Sequence, residues 1–249
     1  MSGHSKWATI KRQKGVADAK RSQLFTKLTK EIAVAARQGD SDPQTNARLR
    51  LAVQKARDSN MPLENIDRAI KRATGSSDAA SLIELTLEAY GPGGSAILLQ
   101  ALTDNKNRTI SEVRNVFTHN SVSLGESGCV SWIFEAKGVI TVEADKMDAE
   151  ELALLAIDAG ADDVKVEQGA VEIQTRPHDM EAVRKTLEEQ GITISSAELL
   201  KVPNNVVKLD DKSSLQALQL LEKLEELDDV QHVFTNADFP DEVVEKYQG

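Results

Sequence analysis

The sequence predicts a multidomain α+β protein: an N-terminal three-helix domain followed by two α/β sandwich domains, one ferredoxin-like and inserted into the other. Three observations carry this. Apolar residues recur at helical spacing between residues 18 and 75; the polar stretch "GSSDAAS" then gives way to short apolar runs; and residues 137–202 read as β-α-β-β-α-β. The domains are accordingly placed at 1–79, at 80–136 with 203–249, and at 137–202.

The first helix is expected from Asp18, a cap-type residue, with Leu24, Phe25, Leu28, Ile32, Ala35 and Ala36 on one face and Gly39 as its stop. Lys20, Lys27, Lys30 and Arg37 fall on another side of the same helix, expected to face solvent. A second helix is predicted from "SDPQT", with Asp42 capping and Pro43 in the first turn, where an amide has no intrahelical partner. Its inward stripe is Leu49, Ala52, Val53 and Ala56. "NMPLEN" opens a third, with Leu63, Ile66, Ala69, Ile70 and Ala73 inward and Gly75 at its end.

Beyond the linker, "LIELTLEAY" and "SAILLQALT" are predicted strands joined by the turn "GPGG", "NRTISEVRNVFTH" a helix and "CVSWIFEA" a further strand. These make a sheet with one helix, incomplete by itself. After Pro203, "NVVKL", a Leu-rich helix over 212–227 and "VQHVFTN" supply what is missing. The tail therefore completes a domain that the β-α-β-β-α-β series interrupts.

Composition bounds the function. Forty per cent apolar and 28% charged residues are ordinary for a globular chain, and no apolar run reaches membrane-spanning length. No apolar stretch follows the N-terminal charges as in a secretory signal. The single Cys129 makes neither an intrachain disulfide nor a metal cage, so a reducing cytoplasm is the expected location. His4, His119, His178 and His232 are scattered, and no metal or cofactor is expected. "YGPGGS" lacks the Gly-Lys-Ser/Thr of a phosphate loop and reads as a tight turn requiring positive φ. Ser127 and Ser131 flank Cys129 without a general base, and no catalytic residue is assigned. The expectation is a protein without enzymatic activity.

Charge is the positive signal. Residues 1–75 hold 16 Lys and Arg against 7 Asp and Glu, whereas residues 76–249 hold 14 against 33, for a net −10 overall. Such polarity orients an encounter with a polyanion. The arm "SGHSKWATIKRQKG" and the helix after it provide Lys6, Lys11, Arg12, Lys14, Lys20, Arg21, Lys27 and Lys30 for phosphates. Trp7 either stacks on an unpaired base or anchors the arm to the helical domain, and the sequence leaves both open. Lys106, Arg108 and Arg114 form a second basic group. Capping by Asn105 and solvation account for it, with a second nucleic-acid contact as the alternative.

The segments "GHSKWATIKRQKGVADAKRSQLFTKLTKEI", "YGPGGSAILLQALTDNKNRT" and "LGESGCVSWIF" closely resemble the YebC family, whose relatives include mitochondrial translational activators of cytochrome c oxidase. The resemblance implies a three-domain cytoplasmic regulator that binds DNA or acts on ribosomal RNA at the ribosome, there easing synthesis of proline-rich stretches. It implies no enzymatic activity and no membrane. Gly3, His4, Ser5, Lys6 and Trp7 match the family's N-terminal signature. One departure precedes "LGESG": where the family usually has a glycine-rich pair, this chain has Ser121 and Val122. A protein adaptor working through the acidic α/β domains is the alternative function, and the sequence does not indicate an oligomeric state.

Overall fold

The computed structural model describes residues 18–75, 82–143, 148–167 and 170–248. The basic arm and nearly all of the polar linker lie outside these residues. Elements in chain order are α1 (Asp18–Gln38), α2 (Ala47–Asp58), α3 (Leu63–Gly75), β1 (Ile83–Tyr90), β2 (Ala96–Thr103), α4 (Lys106–His119), β3 (Phe134–Glu143), α5 (Ala149–Asp158), β4 (Asp163–Glu167), β5 (Ala170–Thr175), α6 (Met180–Glu189), β6 (Ile194–Pro203), β7 (Val207–Lys208), α7 (Asp211–Glu225), β8 (Val230–Thr235), β9 (Ala237–Asp238) and α8 (Asp241–Gln248). They divide into two compact units, Glu135–Val202 and the remainder.

The three N-terminal helices bury the stripes that their periodicity predicts. Leu28, Ile32, Ala35 and Ala36 of α1 meet Leu49, Ala52, Val53 and Ala56 of α2 and Ile66, Ala69 and Ala73 of α3. Alanine at so many contact positions lets the helix axes approach closely. Two expectations are corrected. Helix α2 starts at Ala47, later than "SDPQT", because Asn46 is its cap: its Oδ1 accepts from the Leu49 amide, while its Nδ2 donates to the carbonyls of Ala35 (2.8 Å) and Asp40 (2.7 Å). A carboxylate has no donor for that second task. Asp42 instead closes a turn, its carboxylate accepting from the Gln44 amide at 2.9 Å. Leu63, expected inward, is 59% exposed; it is the first residue of α3, where the apolar stripe outruns its cover.

In the same unit, β1, β2 and β8 form an antiparallel sheet in that order. Leu87 lies opposite Leu99, which lies opposite Val233. These join Val113 and Phe117 of α4 and Leu218, Leu221 and Leu224 of α7 in one core. The tail strand β8 completes the sheet begun by β1 and β2, which makes the other unit an insertion. Two elements go beyond the sequence reading: β9 pairs in parallel with β7, and α8 adds Val243 and Val244 to the core. Its signal was present in "FPDEVVEKY", a proline followed by acidic first-turn residues.

The inserted unit has strand order β4-β5-β3-β6, the order of a ferredoxin-like sheet. Its core is aliphatic, with Ile140, Val142, Leu152, Ala156, Val171, Ile173, Val183 and Leu187 all buried. At Gly138 an added Cβ would lie 2.4 Å from Thr175 Oγ1 and 2.6 Å from Met180 Cβ. Glycine there permits the close approach of β3 to the start of α6.

The predicted strand "CVSWIFEA" is corrected as well. Only Phe134 onward is strand; Ser131–Ile133 is a single 3-10 turn, because the preceding amides are taken by a side chain, as described below.

Helix α4 ends in a Schellman motif. Asn120 is the C-cap, Ser121 adopts φ +58°, its amide donates to Thr118 O at 3.2 Å, and the Val122 amide donates to Phe117 O at 2.9 Å. Val122 is then delivered into the core. This is the site of the departure in "HNSVSLG": the backbone requires a left-handed residue, and serine occupies it at a cost that glycine avoids. Ser121→Gly is expected to raise stability by about 0.5–1 kcal/mol, read as a higher urea midpoint with unchanged m-value.

Candidate nucleic-acid interface

A groove of about 730 Å³ runs between α1 and α3 and reaches the start of α4. Its charged lining is Lys30, Arg37, Arg68, Arg72 and Arg108 against Asp104, and Phe25, Ala33, Met61, Ala69 and Leu82 give it an apolar floor. Arg68 and Arg72, one turn apart on α3, are exposed. Across from them the Arg37 guanidinium is steered by its Nε, which donates to the last-turn carbonyl of Ala73 at 3.1 Å.

Two of the cations are committed to a buried carboxylate. Asp229, just before β8, accepts from Lys30 Nζ at 2.6 Å, Arg108 Nη2 at 2.9 Å, Thr109 Oγ1 at 2.7 Å and Thr103 Oγ1 at 3.0 Å. Burial alone would raise its pKa, but the donors outweigh that, led by Lys30 and then Arg108 and Thr109, and hold it well below the carboxylate range. Arg108 also pairs with Asp104 at 2.7 Å, and its own pKa is raised by Asp229 and Asp104. Around this hub α1 is pinned to the sheet's edge by further bonds. Lys27 Nζ donates to Glu225 O at 2.5 Å, Lys30 Nζ to Asp228 O at 3.0 Å, and Gln23 Nε2 to Glu226 O. Lys30 and Arg108 are balanced in this way; Arg37, Arg68 and Arg72 are the groove's other cationic side chains.

The predicted contact residues separate accordingly. Lys6, Trp7, Lys11, Arg12 and Lys14 lie outside the described residues, and Lys20 lies in α1 with its side chain likewise outside them. Arg21 is exposed, its guanidinium 5.7 Å above the Phe25 ring. Lys27 and Lys30, expected on a solvent face, instead hold α1 against the segment between α7 and β8, a correction that follows from the tail's return to the sheet. In the second basic group, Asn105 caps α4 by accepting from the Arg108 amide at 3.1 Å. Arg108 joins the groove, whereas Lys106 and Arg114 are exposed and do not line it. Sequence reasoning missed Arg68 and Arg72. Their i, i+4 spacing in "IDRAIKRATG" was a signal, but nothing local says that this face meets Arg37.

At the far end of the same sheet, "GPGG" closes β1 onto β2 with Gly93 at φ +65° and Gly94 at φ +77°, the tight turn expected. Beside it, buried Glu88 accepts from the amides of Gly128 (2.7 Å), Val130 (2.8 Å) and Ser131 (2.8 Å). Burial raises its pKa, yet these amides together bring it below the ordinary value. The loop is also drawn to β1 by the Gly125 amide donating to Glu88 O at 2.7 Å. A Cβ on Gly125 would lie 2.6 Å from Cys129 Sγ. Among the described residues, no cluster of His, Cys, Asp and Glu could hold a metal ion, and no helix is long and apolar enough to cross a membrane.

Residues 5–76 match the TACO1/YebC protein N-terminal domain, and residues 82–237 match the TACO1/YebC second and third domain. A probable transcriptional regulatory protein of Dehalococcoides mccartyi is 60% identical over 247 residues, covering 99% of this chain and 98% of that protein. One from Natranaerobius thermophilus is 51% identical over 248 residues, covering 98% and 99%. The crystal structure of a conserved hypothetical protein from Aquifex aeolicus shares the fold with a TM-score of 0.84 at 44% identity, covering 90% of this chain and 93% of that one. With domain matches along nearly its whole length and relatives of this similarity, the chain belongs to the TACO1/YebC family and is a regulatory protein of that family.

Proposed function

We propose that this regulator binds nucleic acid in the groove between α1 and α3, with the basic arm continuing the contact. The carrying observation is the convergence of three guanidinium groups, Arg37, Arg68 and Arg72, on one groove with an apolar floor. Guanidinium forks suit phosphate oxygens. The groove starts at Ser22 and Phe25, in the first turns of α1, so Lys14, four residues before Asp18, has a reach of at most about 14 Å to the helix start. In this reading arm and groove act as one cationic track, which offers phosphate-binding groups and, in the stacking alternative for Trp7, an aromatic ring; the sequence has no helix-turn-helix spacing to read duplex bases. That combination fits single-stranded or structured RNA better than sequence-specific duplex DNA, and is compatible with action on the ribosome. The acidic remainder of the chain keeps polyanions off its own faces.

Anisotropy titrations of labelled single-stranded RNA and duplex DNA against the full chain test this. For the RNA, Arg68→Gln/Arg72→Gln is expected to weaken binding about tenfold at physiological salt and to lower the log–log salt slope by about 1.4, at 0.7 per phosphate contact. Unchanged affinity and slope in the double variant would overturn the groove as the interface.

A further inference from the structure

Tyr90 and Trp132 are the two exposed aromatic residues among those described, at 52% and 68%. They stand at the "GPGG" end of the sheet. A single exposed ring needs no explanation, but these two are held together. Tyr90 Oη and Trp132 Nε1 both donate to the carbonyl oxygen of Cys129, at 2.9 and 3.0 Å. That carbonyl is itself immobilised: Glu88 clamps the amides of Gly128, Val130 and Ser131 on either side of it, and Leu124 bridges to Ala89. Both rings are thus tethered to one anchored carbonyl, and ordering them on binding loses little entropy.

The bonds to Cys129 decide what the pair can recognise. With both polar tips committed, a ligand meets ring faces only. A polyproline segment, which relies on indole and phenol donors to its carbonyls, loses its main polar anchor. A flat base or a cation remains, and charge separates them. Residues 87–95 and 120–134, which build this end, contain no Lys or Arg and two acidic residues: Glu88, buried and committed to three amides, and Glu126. Glu126 is exposed and lies in the same turn, its carbonyl accepting from the Cys129 amide at 3.2 Å. An exposed carboxylate in a segment without Lys or Arg repels a polyanion and attracts a cation.

We propose that Tyr90, Trp132 and Glu126 form a docking platform for arginine side chains on a basic segment of a partner protein. The guanidinium stacks on the rings and Glu126 neutralises it; arginine is preferred over lysine because its planar, weakly hydrated cation matches an aromatic face. This site is separate from the nucleic-acid groove and does not depend on it.

The test uses the full chain and a fluorescein-labelled peptide of five Gly-Arg repeats, with the Gly-Lys peptide alongside, read by anisotropy. The arginine peptide is expected to bind more tightly than the lysine one. Trp132→Leu is expected to weaken it about three- to tenfold, the range of a partly desolvated cation–π contact, and Glu126→Gln to weaken it less. Tyr90→Phe keeps the ring face and is expected to retain most of the affinity, which guards against a variant that merely loosens the loop. RNA binding is expected to be unchanged in Trp132→Leu. Equal peptide affinity in wild type and Trp132→Leu would overturn the platform, reducing peptide binding to general attraction by an acidic surface. Loss of RNA affinity in Trp132→Leu with the peptide unaffected would overturn it in favour of base stacking.

Discussion

Asp229→Ala is expected to destabilise the protein by about 3–5 kcal/mol, because it strands Lys30 and Arg108 beside a buried cavity and removes acceptors from two buried threonine hydroxyls. Asp229→Asn keeps the shape but leaves the two cations without a counter-charge, and is expected to lose slightly less. Urea denaturation of the full chain measures both. The effect has a pH counterpart. A carboxylate whose folded pKa is depressed contributes stability that is complete above its unfolded pKa, and that stability is lost as pH falls towards the folded value. Asp229 is such a group. Wild type is therefore expected to weaken progressively below about pH 4, the unfolded carboxylate range, with a shallower dependence in Asp229→Asn. Loss of the hub also frees the groove cations, so a folded Asp229→Asn protein is expected to bind RNA at least as tightly as wild type.

Glu88→Ala is the second large effect, at about 2–4 kcal/mol. One carboxylate satisfies three amides there, and each buried amide left unpaired costs about 1–3 kcal/mol before the loop relaxes. Glu88→Gln is expected to fall between, since one oxygen is kept while an NH2 group is turned towards amide donors. The depressed pKa of Glu88 adds to the acid sensitivity with the same sign. The loss is expected to be accompanied by a red shift of Trp132 emission, as the loop no longer presents the Cys129 carbonyl to the indole. Thermal or urea unfolding, followed by fluorescence in a Trp7→Phe background, checks this.

Where the two readings parted, the reason was long-range in each case. "CVSWIFEA" has a strand's composition, and its amides would have sought a ladder had Glu88, some 40 positions earlier, not taken them. Asp42 and Pro43 form a sound helix start locally, but Asn46 also reaches the end of α1, and that extra bond decides where α2 begins. Lys27 and Lys30 look like solvated surface on a helical wheel. Their partners lie 198 and 199 positions away, and no window of the sequence contains both ends.

What the sequence by itself determined is everything set by nearest neighbours: the helical stripes, the strand-turn-strand of "GPGG", the β-α-β-β-α-β series, and the opposition of a basic N-terminal third to an acidic remainder. These follow from side-chain spacing, glycine's access to positive φ and plain charge, all of which act over a few residues. Tertiary structure alone decided where the basic residues act. It set Lys27 and Lys30 to fasten α1 to the segment before β8 and Arg108 of α4 to meet Lys30 on Asp229, and it brought Arg37 and Arg68 with Arg72 to one groove. A charge's role depends on the counter-charge it meets, and that meeting is arranged only when the chain's tail returns to complete the sheet its first half began.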